Sequence, residues 1–472
     1  MSSGLISVLI PAAVILLAII TKRIIPSLVM GILLGGIALA GGNILPGVIQ
    51  ASDHLIQSAA NEESMYIIFF LFLFGSFAQI MKVSGGIKGF TQLMGRLVKT
   101  EKGALAAIWA VTPVTFIDCC FHDIAAGTVG KALMDKAGGN RRKLAFVLNV
   151  TSCLLILLIP FGTTYVGYIM GVVTSSLNKA GISQPAYELY LKSIPYNFYA
   201  IAMILISIGV IVFNFGFRRE YRVKQEDEQF DKEHGHDEAH EQCSFEESAP
   251  ARPFNLILPL LLLIISTVFF LWMTGKGKGA GFWGAILNAE FEKSIFISGL
   301  LTIVLTCIYY LFQRVPLREL ESHFLSGGNE MIPPIVVLIL SWGLSSIIGE
   351  LGFVPFVTGA VIAGIPAFLV PAAIYLIACL ASYFMGTAWG TWALIMPMAL
   401  PLAVSTQTPL PLMIAAVLAG GAFGDNASPL GETAILSATI SDIPVIEHIK
   451  SELPFCLAGV FLSAALFIAF SL

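Results

Sequence analysis

"GGAFGDNASPLGETAIL", residues 420–436, is apolar at both ends, yet it carries Asp425 and Glu432 and is interrupted by Pro429 and Gly431. In a hydrocarbon setting, a break in the backbone leaves N–H and C=O groups unpaired at several kcal/mol each. Such breaks persist only where protein or a wet cavity surrounds them. An ionised Asp at the centre of a membrane helix adds roughly 2.5–3.5 kcal/mol on insertion scales. Two acids and a helix breaker in one greasy stretch therefore point to an internal ion-binding cavity.

The rest of the chain supplies the membrane. It has 472 residues, 57% hydrophobic and 12% charged, with a mean hydropathy of +0.85. Soluble chains carry about 25% charged residues, so this composition predicts an all-α polytopic membrane protein. The formal net charge of −4 offers no basic face to nucleic acid. The first run, "GLISVLIPAAVILLAII" (4–20), lacks a basic leader and a small-residue cleavage site, and reads as an uncleaved span. Cys119, Cys120, Cys153, Cys307, Cys379 and Cys456 fall in apolar segments and Cys243 in a polar loop. This pattern predicts neither a disulfide framework nor a metal-type CxxC site. The expected setting is a reduced cytoplasmic (inner) membrane, with lipid as the surrounding partner.

The one long polar stretch, 218–252, is rich in Glu, Asp, Lys and His and poor in aromatics. It reads as a flexible cytoplasmic linker between a first transmembrane repeat (1–217) and a second (253–472). Its "HGHDEAHEQC" (234–243) matches no structural zinc spacing. The halves resemble each other in order. "MYIIFFLFLFGSF" (65–77) falls on "IPPIVVLILSWGL" (332–344), "FIDCCFHDIAAGT" (116–128) on "YFMGTAWGTWALI" (384–396), "PFGTT" (160–164) on "PLGET" (429–433), and "IPY" (194–196) on "LPF" (453–455).

Candidate spans are 4–20, 24–41, 64–81, 144–174, 195–217, 254–272, 294–312, 331–349, 411–440 and 453–471, with re-entrant hairpins at 103–130 and 370–401. With the N-terminus outside, all but five of the 26 basic residues fall on the inner side. The exception is loop 273–293, which puts Lys276, Lys278 and Lys293 outside. Five spans per half is an odd number, so the second half is expected to be inverted relative to the first. Inverted repeats with broken helices at the midplane are the pattern of secondary transporters.

Four interruptions occupy equivalent places: "DCCFHDIAAGT", "PFGTTYVG", "MGTAWGT" and "GDNASPLGET". Asp118, Asp123, Asp425 and Glu432 are the acids placed well inside membrane segments, with Glu350 at a boundary. A carboxylate there can hold a proton on one turnover and sodium on another, which suffices for cation/proton exchange. The competing reading is that Asp118 or Asp425 bonds freed backbone amides. Asp425, Asn426, Ser428, Glu432, Thr433, Asp118 and Asp123 are the candidate cation and proton ligands. Thr387, Thr391, Trp389, Thr163, Thr164, Asn149, Thr151 and Ser152 are candidate lining groups, with helix capping the alternative for the threonines. His122 reads as a proton relay or a structural hydrogen bond. Cys119 and Cys120, being adjacent, suit packing better than joint metal binding.

"GTAWGTWALIMP", "FGDNASPLGETAILSAT" and "FIDCCFHDIAAGTVGKALMDKAGGNRRKLAF" resemble the NhaC-type sodium/proton antiporter family, within the larger ion-transporter superfamily of inverted repeats. The resemblance spans nearly all of the chain outside the linker. It implies ion-gradient-driven exchange in the cytoplasmic membrane and a homodimer. The family commonly reads S-P-L-S-D-T-T where this chain has Ser428-Pro429-Leu430-Gly431-Glu432-Thr433-Ala434, so the acid is one methylene longer and two hydroxyls are lost. Relatives often show F-x-D-D-Y against Phe116-Ile117-Asp118-Cys119-Cys120 here. The family's D-S-T-A-A-P stands as Asn149-Val150-Thr151-Ser152-Cys153-Leu154.

These readings converge on a Na+/H+ antiporter working by alternating access, with Na+ and H+ as transported ions and no other cofactor or metal. The alternative is a Na+- or H+-coupled carrier of a small organic acid or amino acid, whose apolar part Trp389 and Trp392 would suit. A channel would need a carbonyl-filter sequence. No HExxH or GxSxG motif points to an enzyme.

Overall fold

In the computed structural model, residues 3–82, 84–214, 217, 252–278, 281–353, 356 and 366–472 are described. The linker expected at 218–252, with its His-rich cluster, lies outside them apart from Arg252.

The described residues form helices throughout. The first half holds α1 (Ser3–Thr21), α2 (Ile24–Leu39), α3 (Ile44–Ala59), α4 (Glu62–Lys82), α5 (Gly86–Leu97), α6 (Glu101–Thr115) and α7 (Cys119–Ala137). It continues with α8 (Arg141–Asn149), which runs into a π-helical turn (Val150–Leu155), then α9 (Thr164–Lys179), α10 (Ala186–Ser193) and α11 (Phe198–Phe213). The second half holds α12 (Phe254–Gly275), α13 (Gly281–Leu287), α14 (Phe291–Phe312), α15 (Leu317–Glu330) and α16 (Ile332–Glu350). After it come α17 (Val370–Met385), α18 (Ala388–Ser405), α19 (Leu410–Ala427), α20 (Glu432–Ile440) and α21 (Val445–Ala469).

Among the described residues, eight helical segments are long and apolar enough to cross a membrane, or ten if two bent pairs each count as one. Their outward faces are greasy: Leu258, Leu261, Ile265 and Phe269 on α12, Leu300, Val304 and Ile308 on α14, and Phe461 and Leu462 on α21 are exposed. The polar groups lie inside, around α19, whose residues Leu412–Ala427 are all buried. Apolar outside and polar within is the inverse of a soluble domain and suits lipid.

Several stretches differ from the sequence expectation. Span 24–41 ends at Leu39 and bends by 119° into α3, where a plain loop was expected. α3 buries Gly47 and Ala51 and exposes Ile44, Leu45, Val48, Ile49 and Ile56. Its interleaved Gln50, Ser52, Asp53 and His54 dilute the apolar signal, so hydropathy alone reads it as a connection. Loop 82–102 likewise contains α5. Span 144–174 is three pieces, α8, the π turn and α9.

α6 and α7 fold back on each other as a hairpin over the stretch where one was expected. Glu101, at the start of α6, accepts from Lys143 Nζ at 3.0 Å and from the Asn140 amide at 3.5 Å, both just beyond the end of α7. Fifteen residues of α6 rise ~22 Å, short of the ~30 Å hydrocarbon core. Both ends of the hairpin therefore lie on the same side of the bundle. That side collects the basic loops: Lys131 pairs with Asp442 at 2.8 Å, Arg142 with Glu447 at 2.8 Å, and Lys102 donates to the Val212 carbonyl at 2.6 Å. The opposite side opens into a cleft of about 970 Å³ lined by Glu62, Glu63, Thr174, Lys179 and Glu292.

Candidate functional site

Four helix N-termini (α7, α9, α18 and α20) meet the C-terminus of α19 in the interior of the bundle. Their breaks are closed by side chains from neighbouring segments, as hydrocarbon requires. At the break between α19 and α20, Ser428 Oγ donates to the Tyr383 carbonyl (2.6 Å) and accepts from the Leu430 amide (3.1 Å). Thr433 Oγ1 donates to the Asp425 carbonyl (3.1 Å), and Asn149 Nδ2 to the Asn426 carbonyl (2.8 Å). Gly431 lets the chain approach closely, since a Cβ there would collide with the Asp425 carbonyl oxygen. Gly386, at φ +67°, turns α17 into α18 directly against Leu430.

In the first half, Asp118 is the N-cap of α7. Its Oδ1 accepts from the Phe121 amide (3.0 Å) and its Oδ2 from Thr164 Oγ1 (3.0 Å). The Thr164 amide donates to the Ile117 carbonyl at 2.8 Å, stitching this break to the next. Thr163 caps α9 through the Val166 amide (3.0 Å), and Thr387 caps α18 through the Gly390 amide (3.5 Å). Thr391 Oγ1 donates to the Thr387 carbonyl (2.9 Å), Thr151 Oγ1 to the Val147 carbonyl (3.0 Å), and Ser152 Oγ to the Asn149 carbonyl (3.2 Å). His122 is fully buried between Thr115 Oγ1 (2.6 Å) and Thr151 Oγ1 (3.0 Å), in the structural arrangement.

The remaining acids are placed differently. Asp425, in the last turn of α19, accepts from Tyr165 OH at 3.0 Å and has the Cys153 thiol at 3.7 Å. Glu432 opens α20, is exposed, and has the Cys120 thiol 3.1 Å from Oε1. Asp123, from α7, accepts from Ser437 Oγ on α20 at 2.9 Å, while its buried Oδ2 has no partner. The helix that Glu432 opens reaches both other acids, Asp123 through Ser437 and the Asp425 carbonyl through Thr433. Three carboxylates from the two halves thus share one interior region, and the helix N-terminus at Glu432 favours negative charge there. Beside Asp425, the Tyr165 ring lies edge-on to Trp389 (4.9 Å) and Trp392 (5.3 Å), and Tyr168 to Trp389 (4.7 Å). The Asp118, Cys119 and Cys120 ligand atoms fall within 4.8 Å of one another, so geometry alone leaves metal contact open to these neighbours. Glu350 sits at the end of α16 against His54 (2.9 Å), a boundary residue as expected.

One buried acid escaped the sequence reading. Placing the last span at 453–471 left Glu452 in a loop, but α21 begins at Val445 and holds Glu452 and His448 fully buried, Oε2 to Nε2 2.9 Å. Glu452 Oε1 accepts from Asn426 Nδ2 (2.8 Å) and Oε2 from Asn149 Nδ2 (3.0 Å). The i,i+4 spacing of His448 and Glu452 was the available signal. Pro454 hid it, because it sits inside α21 rather than at its start. Tyr165, Cys153 and Ser437 were also missed, since each reads as ordinary span lining.

The chain is similar to known membrane proteins in sequence and in fold. A sequence model of the Na+/H+ antiporter family matches residues 155–472. An uncharacterised protein of Haemophilus influenzae is 27% identical over 476 residues, covering 96% of this chain and 88% of its own. The Na(+)/H(+) antiporter NhaC of Bacillus subtilis is 27% identical over 215 residues, 45% of this chain and 43% of that protein. The malate-2H(+)/Na(+)-lactate antiporter of the same organism is 27% identical over 186 residues, 38% of each. Among solved structures, the Alcanivorax borkumensis YdaH transporter aligns with a TM-score of 0.57 at 11% identity, covering 90% of this chain and 89% of its own. Neisseria gonorrhoeae MtrF aligns at 0.54 and 15%, covering 90% and 84%. The fold is that of a membrane transporter.

Proposed function

Since the chain belongs to the Na+/H+ antiporter family, we propose that this multi-pass secondary transporter exchanges Na+ for H+ by alternating access, the two ions competing for Asp425, Glu432 and Asp123. The observation that carries the reading is the convergence of these three carboxylates at paired helix breaks, one with an unpartnered buried oxygen and one open to solvent. Sodium is a hard cation that takes oxygen ligands, and a proton occupies the same oxygens when it leaves. Asp118, with both oxygens engaged, braces the first half's breaks. Asn426, Ser428 and Thr433 shape the cation site, and Thr163, Thr164, Thr387, Thr391, Asn149, Thr151 and Ser152 hold the breaks around it.

The two halves are inferred to be inverted copies. Support comes from α8–α9 leaving the basic face, where Lys143 lies, and ending at the cleft with Lys179, while α19–α20 ends on the basic face beside Asp442. We assign that face to the cytoplasm of an inner membrane by its basic loops, with the N-terminus outside. The homodimer remains part of the same proposal.

Purified protein in proteoliposomes carrying a pH-sensitive dye tests the exchange. Asp425→Asn is expected to abolish sodium-dependent proton movement; unchanged exchange would remove Asp425 from the mechanism. A second reading is favoured by the cluster of Tyr165, Tyr168, Trp389 and Trp392 beside Asp425, which suits the apolar part of a small organic acid. It also fits the partial similarity to the malate/lactate antiporter. Counterflow of organic acids without cation-only exchange would select it.

A further inference from the structure

We propose that Glu452, partnered by His448, is a second proton-binding site, separate from the three-carboxylate cation site and coupled to it through Asn426 and Asn149. The inference rests on the Na+/H+ exchange reading and adds a second place where a proton is held, beside the carboxylates at which the two ions compete.

Glu452 and His448 are completely buried in α21. Burying two polar groups against each other gains little after their desolvation, so stability alone is a weak reason for such a pair within a membrane. The surrounding hydrogen bonds are unbalanced in an informative way. Three groups face the carboxylate: Asn426 Nδ2, Asn149 Nδ2 and His448 Nε2. Two buried atoms in the same network have no partner, Asn149 Oδ1 and His448 Nδ1. The network holds Glu452 as an acceptor. A proton added to Glu452 turns it into a donor, and Asn149 Oδ1 is the spare acceptor that an amide rotation brings to it.

That rotation has a consequence at the cation site. The Asn149 Nδ2 that serves Glu452 also donates to the Asn426 carbonyl, in the last turn of α19 next to Asp425. Turning the amide releases this carbonyl, while the Asn426 side chain stays held by Tyr199 OH at 2.8 Å. Proton arrival at Glu452 therefore loosens the α19 terminus that carries Asp425. Glu447, the residue before His448, pairs with Arg142 on the basic face, which puts the first turn of α21 at that surface. The titratable neighbours are His448 and Cys456 on α21, Tyr199 from α11, Tyr375 from α17, and Asp425 from α19. From α8 come Arg142, paired with Glu447, and Lys143, paired with Glu101. Glu432 begins α20, the remaining helix against α21.

Glu452→Gln in proteoliposomes, read two ways, tests this. Sodium-isotope exchange at equal sodium on both sides, without a pH gradient, is expected to survive within about twofold, while sodium uptake driven by a pH gradient falls by about tenfold or more. His448→Gln, which keeps a donor toward Glu452, is expected to shift the pH profile of uptake and retain exchange. If Glu452→Gln keeps its pH-driven uptake, or loses both activities in equal measure, the proposal is overturned and the pair is a brace. If that variant does not assemble, infrared pH-difference spectra of the wild type and Glu452→Asp decide. A carboxylic-acid band that moves in the variant supports the site, and an unmoved spectrum overturns it. Wild-type protein that moves no sodium in either assay would instead overturn the exchange reading.

Discussion

Asp118 separates a structural from an ion-binding acid more sharply than any other position. Its Oδ1 caps α7 through the Phe121 amide, and its Oδ2 takes the Thr164 hydroxyl, both at 3.0 Å. Asp118→Ala removes the cap, a loss of ~1 kcal/mol. It also leaves the fully buried Thr164 hydroxyl without its acceptor, a further ~1–3 kcal/mol. The expected total is ~2–4 kcal/mol, visible as a melting temperature several degrees lower in detergent. Asp118→Asn behaves differently. Asn caps as well as Asp, and the Thr164 hydroxyl can rotate to accept from the new amide. This variant is expected to melt within a degree or two of wild type, about 1 kcal/mol or less, and to retain sodium-dependent proton movement in proteoliposomes. An Asn variant that melts normally yet transports nothing would refute the reasoning and restore Asp118 to the cation site.

Two further outcomes follow from packing and charge. Gly420 and Gly424 of α19 lie one turn apart against Ala378 and Ser382 of α17, in the small-residue pattern of close membrane helix pairs. Gly424→Ala would drive a methyl into the Ser382 backbone and is expected to destabilise by ~1–3 kcal/mol, and wild-type melting would contradict that contact. At the basic face, burial pushes the Asp442 carboxyl up, but Lys131 and Arg141 more than offset it and hold the group below its ordinary 3.8. A depressed acid stabilises above its unfolded value, so this contribution is present above about pH 4 and lost as pH falls through the lower folded value. Melting of Asp442→Asn should therefore differ from wild type at neutral pH and converge on acidification; equal melting at neutral pH would deny the bracket.

The interruptions were legible because Gly, Pro and acids are costly in lipid, so their presence at 116–118, 386–387 and 428–431 carried its own explanation. The hairpin of α6 and α7 was legible from the basic loops on both sides of it. The amphipathic α3 and α5 were not, because their polar residues resemble a loop when averaged over a hydropathy window. Glu452 was lost for a related reason: Lys450 and Pro454 flank it, and a window centred there looks like a span boundary although the helix runs through. The partners of the acids were invisible for a different cause. Tyr165, Cys153 and Ser437 reach Asp425 and Asp123 from distant parts of the chain, and no spacing in one sequence encodes which long-range neighbours a fold brings together.

The stitch between the first half's breaks has a mechanical consequence. With the Thr164 amide on the Ile117 carbonyl and its hydroxyl on Asp118, the re-entrant tip cannot slide past α9 without tearing bonds in an anhydrous interior. Ser428 on the Tyr383 carbonyl pins the other half in the same manner. At the acids themselves the links between the halves are softer, a thiol at Glu432, a serine at Asp123 and a phenol at Asp425, while firmer ones lie beside them, at Asn426 and in the ion pairs of the basic face. On the proposed exchange reading, a sodium ion or proton seated among these acids would bridge the two halves at the place where their side-chain links are softest.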